Sequence, residues 1–86
     1  MTYKRAHRVP WRLVEDKAVL VSVKNSQVMV LNQVGTEIWN YLEQGKSSDE
    51  IVDHILSVFD VDRETAEKDV REFLADMQQR ETLDVL

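Results

Sequence analysis

One run of residues constrains the fold more than any other: an unbroken apolar strand that passes directly into an amphipathic helix. The strand is residues 27–31, and the sequence Gln-Val-Gly-Thr-Glu-Ile-Trp follows it at once. In an extended chain Val28 and Val30 share one face, while Met29 and Leu31 share the other. Neither face is polar, so both need a cover. The helices that follow provide one cover, and we expect a partner peptide to lie alongside this strand.

Two further strands are predicted before this one. Residues 11–15 form the first, and residues 18–23, rich in β-branched side chains, form the second. Residues 16–17 are the turn between them. The connection over residues 24–26 has the length of a hairpin loop, and Asn25 is its residue best suited to a positive φ. Together with the apolar strand, these segments predict a three-stranded antiparallel meander.

A meander leaves its last strand, residues 27–31, at an edge of the sheet. The outer N–H and C=O groups of that strand then have no partner within the chain. Natural proteins usually guard such an edge with lysine, proline or a bulge. Here the residues are Gln27, Val28, Met29, Val30 and Leu31. An unguarded apolar edge is either an aggregation hazard or a docking site for an added strand.

Three amphipathic helices are predicted after the sheet. The first repeats apolar residues at Val34, Ile38 and Leu42, and Gly45 is its expected stop. Asn32, Ser47 and Asp62 are the predicted N-caps, and Ser47 with Glu50 forms a capping box. The apolar stripe of the second helix is Ile51, Val52, Ile55, Leu56 and Phe59, and that of the third is Ala66, Val70, Phe73, Leu74 and Met77.

The two ends of the chain are predicted to be less regular. Residues 1–8 are polar and basic and are expected to be a flexible, frayed end. Residues 83–86 add a short strand or simply pack. The 86 residues therefore predict one α+β domain, residues 1–86, with a three-stranded antiparallel meander followed by three α-helices.

The charge distribution limits the partners of this chain. Residues 1–32 carry a net charge of +4 and residues 33–86 a net charge of −9. A nucleic-acid binder normally places basic residues on the helix that meets the phosphates, so this asymmetry argues against one. There is no membrane-spanning run, no signal-peptide pattern and no cysteine, which predicts a cytoplasmic protein without membrane partners.

Catalytic and metal-binding chemistry is not supported by the sequence. His7 and His54 lie in different halves, and Gly35 and Gly45 stand alone rather than in a phosphate loop. His54 beside Asp53 suggests a metal or acid–base pair, but no third ligand or nucleophile has the right spacing. A solvent-facing helix residue is the simpler interpretation. We predict no enzyme activity, no metal and no cofactor.

A winged-helix DNA-binding protein is the alternative function. Residues 47–59 and 62–80 resemble a helix-turn-helix pair. The later helix of this pair, the third of the chain, carries Arg63, Lys68 and Arg71. Five acidic residues are interleaved with these cations, so repulsion from the phosphates would largely offset counterion release. The acidic residues are Glu64, Glu67, Asp69, Glu72 and Asp76.

The ordered motifs of this chain resemble a known family. A strand ending in Val-Leu-Asn is followed by Val-Gly-Thr-Glu-Ile-Trp, and later come Ser-Asp-Glu-Ile, Phe-Asp-Val-Asp and Asp-Val-x-x-Phe-Leu. This set resembles the PqqD-like family, the recognition elements of ribosomally made and modified peptides, over residues 10–82. No single motif is specific, but their order is.

The resemblance implies a fold similar to a winged helix-turn-helix and a function in peptide recognition. Such proteins bind the leader of a precursor peptide as an extra strand, between the third strand and the third helix. They present it to a maturation enzyme, such as a radical-SAM protein or a leader peptidase or cyclase. The pathway implied is pyrroloquinoline quinone, lasso-peptide or radical-SAM peptide biosynthesis. The peptide-binding residues we predict are Gln27, Val28, Met29, Val30, Leu31, Glu67, Asp69, Val70, Arg71 and Leu74.

Overall fold

A computed structural model describes residues 1–86, which form five strands and three helices. A three-stranded antiparallel sheet, here called the main sheet, packs one face against the helices, and a two-stranded sheet joins the chain ends. The predicted α+β class with three strands followed by three helices is therefore confirmed. In chain order the elements are β1 (Tyr3–Arg5), β2 (Trp11–Val14), β3 (Lys17–Val21), β4 (Val28–Val30), α1 (Gln33–Tyr41), α2 (Ser48–Val58), α3 (Arg63–Gln79) and β5 (Leu83–Val85).

The main sheet is the predicted meander, with strand order β2-β3-β4. The turn between β2 and β3 lies at Glu15 and Asp16, one residue earlier than predicted, and both adopt positive φ (52° and 68°). Positive φ at both central residues is the geometry that matches the twist of a two-residue hairpin. In the next connection Ser26, not Asn25, has positive φ (59°). The Asn25 side chain instead accepts a hydrogen bond from the Gln27 N–H at 3.1 Å, which holds the loop closed.

All three predicted helix N-caps are present. The side chains of Asn32, Ser47 and Asp62 accept hydrogen bonds from backbone N–H groups of the first helical turn. The Glu50 carboxylate in turn accepts a hydrogen bond from the Ser47 backbone N–H. Backbone hydrogen bonding to Ser47 lowers the pKa of Glu50. Side-chain hydrogen bonding with Thr65 lowers the pKa of Asp62. Gly45 does not end α1, which is capped at Leu42 three residues earlier.

The N-terminal segment differs from the frayed end predicted from sequence. Tyr3–Arg5 pairs antiparallel with Leu83–Val85, in the register Tyr3 with Val85 and Arg5 with Leu83. Thr2 and Leu86 exchange two backbone hydrogen bonds at 2.9 and 2.8 Å. The polar side chains of Tyr3–Arg5 give no strand pattern in the sequence. The strand is stabilised by backbone pairing with a segment at the far end of the chain.

The core lies between the helices and the inner face of the main sheet. Ala18, Leu20 and Met29 project from the sheet into one cluster with Ile38 and Trp39 of α1. Helix α3 adds a stripe at Ala66, Val70, Leu74 and Met77, all buried as predicted, whereas Phe73 is only half-buried on its flank. None of the three helices is long and apolar enough to cross a membrane.

Candidate functional site

The open edge of the main sheet is defined by the β4 residues that bond to β3. The Leu31 N–H donates to the Ala18 carbonyl at 2.9 Å, and the Gln27 carbonyl accepts from Ser22 at 2.8 Å. Hydrogen-bonded residues alternate along an antiparallel ladder, so Met29, between them, also faces β3. The N–H and C=O groups of Val28 and Val30 therefore point away from the sheet. Sequence alone left open which of the two alternating sets would face outward.

The side chains along β4 are apolar on both faces of the strand, including the face that points to solvent. Met29 and Leu31 are buried, as a core contact requires, but Val28 and Val30 are 66% and 65% exposed. Polar residues normally occupy the solvent face of an antiparallel sheet. The edge of β4 thus combines unpaired backbone groups with two exposed valines and no cation or proline.

The far end of β4 is fastened to the first helix by a buried threonine. The Thr36 hydroxyl accepts a hydrogen bond from the Ala18 N–H at 3.0 Å and donates one to the Leu31 carbonyl at 3.4 Å. These are the two ladder groups that the end of β4 would otherwise leave without partners. The hydroxyl therefore fixes the position of the open edge relative to α1.

Two depressions lined by α3 lie beside the segments that precede and follow β4. One, of about 250 Å³, lies at the β3–β4 connection and is lined by Lys24, Asn25 and the end of α3. The other, of about 380 Å³, lies where β4 leads into α1, beside Asn32 and Gly35. Asp76 of α3 lines both. The two depressions therefore bracket the open edge of β4, and we call this space the β4–α3 cleft.

The close packing of α1 on α3 in this cleft depends on a glycine. A Cβ atom at Gly35 would lie 3.2 Å from the Asn32 side-chain oxygen and 3.3 Å from the Phe73 ring. These distances are tighter than ordinary van der Waals contact, so the absence of a side chain lets Phe73 rest against the start of α1. Phe73 is thereby held as an apolar wall of the cleft, a role that its place in the helical stripe did not indicate.

Charges are unevenly distributed along the β4–α3 cleft. Asp69, Glu72 and Asp76 line the depression beside α1. Asp76 is paired with Arg80 at 3.0 Å, whereas Asp69 and Glu72 form no ion pair. At the other end, the Lys24 ammonium donates to the Gln79 carbonyl at the end of α3, at 3.3 Å. One end of the cleft is therefore acidic, and the other carries a cation.

The predicted site residues divide between two sides of α3. Asp69 lines the β4–α3 cleft. Glu67, Val70, Arg71 and Leu74 instead line a depression of about 450 Å³ between α3, the start of α2 and Tyr3, away from the segments that flank β4. Val70 and Leu74 are 1% and 4% exposed, so most of their surface belongs to the core. Their contact with a peptide on β4 stays a prediction, and the structure adds Phe73, Glu72 and Asp76 as cleft residues that the sequence did not single out.

His54 is not the solvent-facing residue suggested by its sequence context. Its ring stacks on Tyr41 with centroids 4.0 Å apart, and its Nε2 lies 2.9 Å from a Glu37 carboxylate oxygen. These contacts tie α2 to α1. Asp53, its neighbour, pairs with Arg63 at 2.8 Å and raises the pKa of that guanidinium. No group of three or more histidine or acidic side chains is placed to hold a metal ion.

The comparison with protein-family models decides the family. The model described as coenzyme PQQ synthesis protein D (PqqD) matches residues 17–83, which include the main-sheet strands β3 and β4 and all three helices. The chain belongs to the PqqD family. A search of the curated proteins gave no match.

Three solved structures share the fold of this chain. TbiB1 in complex with the TbiA(beta) leader peptide is 36% identical, with a TM-score of 0.84 over 96% of both chains. Lasso peptide synthetase B1, also complexed with a leader peptide, is 17% identical with a TM-score of 0.80 and covers 96% of this chain and 98% of its own.

The third structure comes from Methylobacterium extorquens and is the PqqD truncation of PqqCD, described as a functional and stand-alone RiPP recognition element. It is 19% identical, has a TM-score of 0.77, and covers 98% of this chain and 89% of its own. At 17% and 19% identity, the second and third structures show that the fold is shared.

Proposed function

We propose that this protein is a non-catalytic adaptor that binds the leader segment of a ribosomally made precursor peptide and presents it to a maturation enzyme. The observation that carries the proposal is the open edge of β4, where Val28 and Val30 direct unpaired backbone groups away from β3. The 36% identity to TbiB1, whose structure holds a leader peptide, supports leader binding by this chain.

The leader would bind as a fourth strand of the main sheet. Val28 and Val30 each offer one N–H donor and one C=O acceptor, and each hydrogen bond made to the leader contributes about 1 kcal/mol net. Main-chain bonds of this kind tolerate many sequences, because they do not depend on the side chains of the peptide. Antiparallel pairing continues the pattern of β2, β3 and β4.

Specificity would come from the side chains that the leader directs into the β4–α3 cleft. Alternate residues of an added strand point to opposite faces, so every second leader residue faces Phe73 and its neighbours. A leader that continues from the cleft around α3 would reach the depression between α3 and the start of α2. There it would contact Val70, Arg71 and Leu74. Glu67 lines that same depression, whereas Asp69 lines the cleft itself.

The same proposal covers the chain's cellular role. Precursor peptides made by the ribosome are available in the cytoplasm, which is where this adaptor would act. The pathway served would be pyrroloquinoline quinone, lasso-peptide or radical-SAM peptide biosynthesis, and the maturation enzyme would supply the chemistry. The winged-helix likeness of the fold adds no DNA-binding function, because Glu67 and Glu72 on α3 are exposed beside its cations.

The test is a titration with the two halves of the precursor peptide encoded beside this chain. We expect the leader half to bind and the core half to bind weakly or not at all, by isothermal calorimetry or fluorescence anisotropy. A duplex DNA of mixed sequence serves as a second ligand and should not bind at physiological salt. Binding to the core half alone, or sequence-specific retention of DNA, would contradict the proposal.

A further inference from the structure

The face of the main sheet that points away from the helices is apolar, and no element of the chain covers it. Ala18, Leu20 and Met29 point inward and are buried, so the residues between them on the strands point outward. Val19 lies opposite Val30, and Val21 lies opposite Val28. We call this surface the valine face; its members are Val14, Val19, Val21, Val28 and Val30.

The charged residues on this face are all basic. Arg12 lies opposite Val19, and Lys17 lies opposite Val14, so both occupy outward strand positions. Neither takes part in an ion pair. Glu15 and Asp16 lie in the turn beyond the strands, and no carboxylate occupies an outward position of β2, β3 or β4. Val14, Val28 and Val30 are exposed, and Val19 and Val21 are half-buried between them. The valine face is therefore a solvent-facing apolar patch with two free cations.

A leader bound to β4 would extend this face by one strand. Its side chains alternate, so the residues that do not enter the β4–α3 cleft lie beside Val28 and Val30 on the outward face. The surface presented by the loaded adaptor is then wider than that of the free adaptor, and part of it is leader. A protein that docks on this surface contacts both at once.

We infer that the maturation enzyme docks on the valine face, through an apolar patch flanked by carboxylates that pair with Arg12 and Lys17. This inference rests on the proposed function and names the surface that the second partner uses. Contiguous exposed apolar patches mark interaction sites, and complementary charges fix the register of a partner. A second copy of this chain fits less well, because its own valine face brings two more cations and no carboxylate.

The geometry also couples the two binding events. An enzyme that contacts the outward side chains of the leader binds the loaded adaptor more tightly than the free one, and the leader affinity must rise by the same factor. The cleft side of the leader determines whether it is accepted, and the outward side determines whether the enzyme then engages. The adaptor thus recruits the enzyme preferentially when a precursor is present.

The test uses the full chain, the leader half of the neighbouring precursor, and the purified maturation enzyme encoded beside them. Two variants disrupt the valine face without touching β4: the triple substitution Val14→Thr, Val19→Thr and Val21→Thr, and the pair Arg12→Glu and Lys17→Glu. Threonine keeps the β-branched shape and so preserves the strands. Val58→Thr, on an exposed position at the end of α2, is the matched control.

Each protein is assayed for leader affinity and, with and without leader, for enzyme affinity. We expect both valine-face variants to keep leader affinity within about twofold and to weaken enzyme binding by about tenfold or more, as the loss of a central interface patch does. Leader should raise the enzyme affinity of the unchanged protein by about fivefold or more. Val58→Thr should change neither.

The outcomes separate this inference from the proposed function. If no form of the protein binds the leader, the proposed function fails, and the valine-face inference fails with it. If leader binds but both valine-face variants retain full enzyme affinity, only the valine-face inference is overturned. Leader-independent dimerisation of the unchanged protein in sedimentation, lost in the threonine variant, would show a second copy on the face and would also overturn it.

Discussion

The two edges of the main sheet, β2 and β4, are both short strands, but β2 has protections that β4 lacks. Pro10 precedes β2, and Arg12 lies within it. Trp11 packs edge-on against Trp39 with ring centroids 6.0 Å apart, and the Arg5 guanidinium lies 4.8 Å above the Trp11 ring. The start of β2 is therefore covered by side chains from the N-terminal segment. A cation, a proline and a covering neighbour are the usual ways of blocking strand addition.

β4 has none of these protections. Exposed apolar side chains alone do not make an edge strand available for strand addition, because Leu13 and Val14 of β2 are also exposed. What differs is the surroundings of each edge: β2 is crowded at its start, whereas β4 faces a cleft with an apolar wall at Phe73. The following predictions test that difference, beginning with the largest effect.

Met29→Pro should cause the largest loss of stability. Its N–H faces β3 and its side chain is 9% exposed, so proline removes a ladder hydrogen bond and a buried side chain at the same time. We expect a loss of at least about 3 kcal/mol in the free energy of unfolding, measured by urea denaturation. A Met29→Pro protein with unchanged stability would mean that the ladder is offset by one residue from the register described above.

Thr36→Val should have the next largest effect on stability. It removes the hydrogen bonds that fasten the end of β4 to α1 and keeps the size of the side chain. It removes the hydroxyl that bonds to the buried Ala18 N–H and to the Leu31 carbonyl. A buried donor without a partner costs about 1–3 kcal/mol. Thr36→Ser keeps the hydroxyl and is the control. Equal urea midpoints for the two variants would show that the hydrogen bonds contribute little to holding the edge.

Val28→Pro and Leu13→Pro compare the two edges directly. By the alternation of the ladder, each removes an outward N–H from an edge strand, so both proteins should keep most of their stability. We expect Val28→Pro alone to weaken leader binding by about tenfold, the equivalent of one lost hydrogen bond and some strain. Calorimetry with the leader half measures this. Equal leader affinity for the two variants would remove β4 from the binding site.

The smallest effect concerns the helix caps that hold α2 and α3 behind the sheet. The pKa values of Glu50 and Asp62 are lowered in the folded protein by hydrogen bonds at these caps. Their contribution to stability is therefore present above the unfolded pKa and is lost as the pH falls through the folded pKa. Glu50→Gln with Asp62→Asn keeps the capping geometry and should flatten the acid limb of a Tm-against-pH curve. If Tm fell at low pH as steeply as in the unchanged protein, other carboxylates would be responsible for that loss of stability.

Much of the fold could be predicted because its signals are local. A capping residue acts on the three residues that follow it, so Asn32, Ser47 and Asp62 could each be identified from their own neighbourhood. The strands β2 to β4 are joined by short connections, and their alternation is visible in sequence. The pairing of Tyr3 with Val85 could not be predicted in this way, because it joins two short segments at opposite ends of the sequence.

The open edge was predictable from the sequence, but the direction of its backbone groups and the lining of the cleft were not. The absence of lysine and proline around Val28 indicated an open edge, whereas the direction of each N–H depends on which residues form hydrogen-bonded pairs. The two sides of α3 are likewise separated by the rotation of the helix against its neighbours. Asp69 and Arg71 are two residues apart, yet they line different depressions. Sequence spacing gives the buried stripe, but packing determines which flank meets β4.

The pairing of β1 with β5 has a practical consequence for engineering. Because Thr2 and Leu86 bond to each other, the first and last residues described here emerge side by side. A few glycine and serine residues would join them into a circular permutant, with new ends cut in the Glu15–Asp16 turn between β2 and β3. By the same geometry, a fluorescent protein or surface anchor fused at either end leaves from one spot. Biosensors for leader peptides can therefore be built on this scaffold without extending the chain across the cleft.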